Sequence, residues 1–219
     1  MWTSQWGTLI GKDLRLHGSA IALAMAGALA LLAAGTQLAP QGIGPRVSLV
    51  FNVNILLTLL WSEWLVTRER SKRTFAWLRT LPVDDRVLAG SKFVTAAGCC
   101  VLFWSLSTSL FARELWQPTG VGVTLLCMVL SFGGLGIAAR LRFSWRIGQL
   151  APLCIVGLPV LLFIVFAGNG TTRRDALIAL WTAPWGRTVV AASLFLVYCV
   201  IVLITVHWLT RAETVDLVD

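Results

Sequence analysis

Six runs of apolar sequence, none interrupted by Lys, Arg or Asp, constrain this chain more than any other feature. They cover residues 19–38, 47–66, 94–110, 121–139, 150–167 and 189–209. A helix needs about 20 such residues to cross a hydrocarbon core of about 30 Å. Only helices and closed barrels satisfy their backbone hydrogen bonds in lipid, and runs of this length read as helices. The fold class expected is therefore all-α: a polytopic membrane protein with six transmembrane helices in a single domain. The composition agrees, since 57% of the 219 residues are hydrophobic and 13% charged, whereas soluble domains carry about 25% charged residues. Little chain is left for a separate soluble catalytic domain.

The net charge of +8 would point to nucleic acid in a soluble protein. In a membrane protein it reads as the retention of basic residues on the cytoplasmic side. Sorting them by span puts Lys12, Arg15, Arg68, Arg70, Lys72, Arg73, Arg79, Arg86, Lys92, Arg140, Arg142, Arg146 and Arg211 on one side. Arg46, Arg113, Arg173, Arg174 and Arg187 fall on the other. That asymmetry predicts cytoplasmic termini and six crossings, with membrane lipid rather than nucleic acid as the surrounding partner. Trp2, Trp6, Trp61, Trp64, Trp116, Trp145, Trp181, Trp185 and Trp208 fall at or near span ends, where indoles favour the headgroup layer. Trp104 lies mid-span and reads as packing.

Three segments outside the spans have their own expected structure. Residues 1–17 carry Trp2, Trp6, Leu9 and Ile10 at helical spacing beside Lys12 and Arg15, the pattern of a helix lying in the membrane surface. Residues 168–188 are long for a turn and predict an external loop or short helix. Residues 67–86 form the longest cytoplasmic connection. Wound as a helix, it separates Phe75, Trp77, Leu78 and Leu81 from Arg68, Lys72 and Arg79, and places Glu69 and Arg73 four apart. Leu81-Pro82 ends such a helix, and Asp84 or Asp85 is placed to cap the next. An interfacial helix resting on anionic lipid and a helix docking a soluble partner both fit this pattern.

Chemistry-bearing motifs are sparse. The five cysteines, Cys99, Cys100, Cys127, Cys154 and Cys199, lie in apolar runs without CxxC spacing, and His17 and His207 are far apart, so no metal or bound cofactor is expected. No HExxH, GxSxG or P-loop sequence occurs, and the expectation is a chain that is not an enzyme. Glu63 is the one carboxylate within a span. In the second run Asn54, Thr58 and Ser62 recur every four residues, a polar stripe that predicts a pathway wall or a dimer interface. Hydrogen bonds to the helix's own carbonyls are the alternative for that stripe. Ala20, Ala24, Ala28, Gly133 and Gly136 offer small surfaces for close helix contacts.

The stretch with Glu69, Thr74-Phe75, Trp77-Leu78, Leu81-Pro82-Val83 and Gly90-Ser91-Lys92-Phe93 resembles the signature after the second span of type-2 ABC exporter permeases. Lys12-Asp13-Leu14-Arg15 and the six-run layout are similar to that superfamily as well. Arg73 stands where the family has glycine, and Phe75 where it has leucine. The resemblance implies a bacterial inner-membrane export permease without its own ATPase, working as a dimer with a second copy or a homologue. Its partner would be a separate nucleotide-binding ABC ATPase subunit that carries ATP and Mg. Arg68, Glu69, Lys72, Arg73, Phe75, Trp77, Leu78, Arg79 and Leu81 would dock that subunit as the coupling helix. A small membrane enzyme or assembly factor acting on a lipid-like substrate is the other class that the composition admits.

Overall fold

The computed structural model describes residues 2–38, 43–71, 84–116, 121–142 and 183–211, and every element within them is helical. We number the helices α1 (Trp2–Leu38), α2 (Ile43–Ser71), α3 (Asp85–Phe111), α4 (Val121–Arg142) and α5 (Pro184–Arg211), with a 3₁₀ turn at Arg113–Trp116 after α3. All five helices are long and apolar enough to cross a membrane, and the chain is an integral membrane protein. The expected fifth run, residues 150–167, and most of the 168–188 segment lie outside the described residues.

α1 is one helix of 37 residues, about 55 Å at 1.5 Å per residue. No break separates the expected surface helix from the first span, so residues 2–17 extend the span instead of forming a separate element lying flat. The reason is a stripe four residues apart: Leu9, Asp13, His17 and Ile21 are all buried. Ala24 and Ala28 continue that packing face against the core.

The expected connection over 67–86 is shorter. α2 runs on to Ser71, and α3 starts after Asp84, which caps it by accepting the Arg86 backbone N–H at 2.8 Å. Lys92 and Phe93 are thereby placed inside α3 and fully buried. Trp61, expected at the headgroup layer, is instead enclosed in the core, edge-on to Phe103 with ring centroids 6.1 Å apart. Trp104 packs in the same cluster.

Pairwise contacts fix the directions of the helices. Trp6 meets Gly90 and Asp13 meets Lys92 in rising order, so α1 and α3 are parallel, and α1 runs antiparallel to α2, with Gly35 against Leu49 beside their connection. Asn54 meets Ser107 while Trp61 meets Phe103, so α2 and α3 are antiparallel. Thr58, Ser62 and Glu63 meet Gly133, Gly136 and Arg140 in rising order, which makes α2 and α4 parallel. α4 and α5 are parallel as well. Thr124 donates to the Arg187 carbonyl at 3.3 Å, Ser131 to that of Leu194 at 2.9 Å, and Gly134 faces Tyr198. Glycines at 133, 134 and 136 let α4 approach both neighbours closely.

Candidate functional site at the basic end of the bundle

These directions gather the charged residues of the described helices. Lys12 and Arg15 near the start of α1, Arg86 and Lys92 near the start of α3, and Arg140 near the end of α4 share one end of the bundle. Arg46, Arg113 and Arg187 lie at the other. Two ionic contacts are built into the basic end. Lys92 Nζ donates to Asp13 Oδ1 at 2.7 Å with both side chains fully enclosed, and Lys12 lies 3.2 Å from the same oxygen. Arg140 Nη2 lies 3.5 Å from Glu63 Oε2, while Nη1 donates to Ser62 Oγ and to the Gly136 carbonyl.

Each contact ties a parallel pair of helices, α1 to α3 and α2 to α4. A charge in low dielectric is stable only when paired and hydrogen-bonded, so the fully enclosed Lys92–Asp13 pair resists separation of α1 and α3 at this end. Glu63 is 41% exposed, so its pair with Arg140 is the weaker tie, and the bonds from Arg140 to Ser62 and Gly136 hold the guanidinium between α2 and α4. The sequence places Asp13 in the expected surface helix and Lys92 and Arg140 in polar connections. The signal for the first of these was the four-residue stripe through Leu9 and His17, which marks Asp13 as inward-facing.

Above this end lies the polar stripe of α2. Asn54, Thr58 and Ser62 are buried within the protomer, turned toward α3 and α4. All three bond their own helix: Asn54 Nδ2 to the Val50 carbonyl at 2.8 Å, Thr58 Oγ1 to that of Asn54 at 2.8 Å, and Ser62 Oγ to that of Leu59 at 2.6 Å. Asn54 also donates to Ser107 Oγ of α3 at 3.0 Å, and Ser62 accepts from Arg140. The stripe therefore joins helices of one chain, and its side chains are not on offer to a second copy as the dimer-interface reading required.

Of the expected docking residues, Arg68 and Glu69 fall on the last turns of α2. Lys72, Arg73, Phe75, Trp77, Leu78, Arg79 and Leu81 lie outside the described residues. Among the described residues no cluster of His, Cys, Asp and Glu could hold a metal ion. Cys99, Cys100, Cys127 and Cys199 are free thiols. Neither family models, curated proteins nor solved structures match the chain.

Proposed function

We propose that this chain is the membrane-spanning permease subunit of an ATP-binding-cassette exporter, energised by a separate nucleotide-binding subunit at the basic, cytoplasmic end. The observation that carries the reading is the placement of the two ionic ties. The connection that resembles the coupling segment leaves α2 and enters α3 at this end, and each of those helices makes a polar contact there with a second one. A push on the connection would reach α2 with α4 through Glu63–Arg140, and α3 with α1 through Lys92–Asp13. A sheet of lipid contacts alone would not need four helices joined at one level.

The reading includes a sixth crossing at residues 150–167. It is supported by the parallel course of α4 and α5, because a chain leaving α4 at the basic end has to return to the opposite end before Pro184. Eighteen helical residues rise about 27 Å, close to the hydrocarbon thickness. With cytoplasmic termini, Arg68, Arg70 and the residues up to Leu81 face the partner subunit. The permease works as a dimer on this reading, through faces other than the buried stripe of α2.

The test is assembly. Protein solubilised from its native membrane is expected to co-purify with an ATPase subunit. The triple change Arg68→Glu, Lys72→Glu and Arg79→Glu should loosen that complex and lower the ATPase rate. Unchanged assembly and unchanged ATPase rate in the triple variant would remove the docking role.

A further inference from the structure

An open apolar groove of about 990 Å³ runs between α3 and α5. Its floor on α3 is low because Gly90, Ala97 and Gly98 stand where larger side chains would fill it, and Tyr198 and Val202 of α5 form the opposite wall. A Cβ at Gly98 would meet nothing within 4 Å, whereas one at Gly90 would run into the Trp6 indole that closes the basic end. From Gly90 to Ser105 the groove extends about 22 Å along the helix, more than the roughly 15 Å of hydrocarbon in one leaflet. Its exposed rim, with Val94 at 49% and Leu203 at 67%, lies within helices long and apolar enough to cross a membrane.

The basic end of the groove carries a charge. Arg86 sits one turn before Gly90, on the same side of α3, and is exposed. It has no carboxylate partner among the described residues. Trp6 beside it supplies the amphipathic ring favoured at headgroup depth. A second copy related by an axis along the membrane normal would bring its own Arg86 to the same depth, setting like charges at one level. A phosphate is the complementary group.

We propose that the groove between α3 and α5 holds an acyl chain of an anionic phospholipid, with Arg86 pairing with its phosphate at the basic end. The site is independent of the transport reading. The chain lies against Val94, Ala97 and Gly98 on one side and Val202 and Leu203 on the other, and the headgroup rests beside Trp6.

The experiment uses the full chain, purified in mild detergent, stripped of lipid, and titrated with phosphatidylglycerol or phosphatidylcholine while bound lipid is counted by native mass spectrometry. One phosphatidylglycerol should be retained in preference to phosphatidylcholine by about five-fold, the contribution of a single basic residue near an anionic surface. Arg86→Gln should abolish the preference while a lipid still binds. Gly98→Leu, which fills the open groove, should lose the lipid. Val94→Phe narrows the mouth from an exposed position and decides the matter alone if the first variant fails to fold. Equal retention of the two lipids by the wild type, an unchanged preference in Arg86→Gln, or lipid retained by a folded groove variant would each overturn the proposal. So would a groove variant that altered the oligomeric state instead, which would assign the groove to a second copy.

Discussion

Lys92 and Asp13, 79 residues apart in sequence, share a 2.7 Å hydrogen bond inside the bundle with neither side chain reaching the surface. Removing one partner of a buried pair leaves a charge without compensation, at a cost of about 3–5 kcal/mol. Asp13→Asn and Lys92→Met are each expected to destabilise the protein on that scale. Lys92→Met should be the milder, because Lys12 remains beside the carboxylate. The double variant Asp13→Leu with Lys92→Met should lose much less than the sum of the single changes. Unfolding in mixed micelles of increasing denaturing detergent, read as a double-mutant cycle, measures the coupling.

Gly133 of α4 lies against the Cγ2 methyl of Thr58, with no room for a Cβ between them. Thr58 cannot swing aside freely, since its Oγ1 bonds the Asn54 carbonyl at 2.8 Å. Gly133→Ala is expected to destabilise by about 1–3 kcal/mol through overpacking. Thr58→Ser deletes the obstructing methyl and keeps the hydroxyl, so adding it should restore most of the loss. Gly98→Ala, where the space is open, is the control and should be neutral or slightly stabilising, as alanine is the better helix former. Thermal melting of the four purified proteins separates these outcomes.

The Asn54–Ser107 bond crosses from α2 to α3 in a fully buried setting. Interhelical hydrogen bonds of this kind contribute about 0.6 kcal/mol on average in membranes, because the unfolded chain also finds partners. Ser107→Ala should cost about that much, since Asn54 keeps its bond to the Val50 carbonyl. Asn54→Ala should cost more, by the cavity it opens. The same unfolding assay, run on both variants and on the pair, checks the ranking.

What was readable in the sequence follows from what lipid demands. Five of the apolar runs appear as helices at nearly the expected places, because uninterrupted apolar sequence has one solution in a bilayer. The cap at Asp84 was readable because capping is local. Lys92 and Arg140, just outside the expected spans, are buried inside continuous helices, and this was not readable because the partner comes from a helix far off in sequence and periodicity on one helix cannot name it. Trp61 was misplaced for the same reason: its position near a span end fits the headgroup layer, but Phe103 on α3 claims the ring. The polar stripe on α2 was legible as inward-facing, but only the packing of α3 and α4 shows that it joins helices of one chain. The docking segment rests on resemblance and on its position between α2 and α3.

The parallel packing of α4 and α5 makes an expectation about sidedness that labelling can settle. In a variant with its native cysteines replaced, single cysteines at Lys12 and Arg86 mark the basic end, and those at Arg113 and Trp185 mark the other. Arg86, Arg113 and Trp185 are exposed, and Lys12 is partly so. A membrane-impermeant maleimide added to right-side-out vesicles should label the Arg113→Cys and Trp185→Cys variants, and should reach Lys12→Cys and Arg86→Cys only after the membrane is opened. Inverted vesicles should give the reverse. Because α4 and α5 run in the same direction, the start of α5 must share a side with Arg113 and not with Arg86. Co-labelling of Trp185→Cys with Arg86→Cys from one side would contradict that parallel packing, and with it the return crossing at residues 150–167.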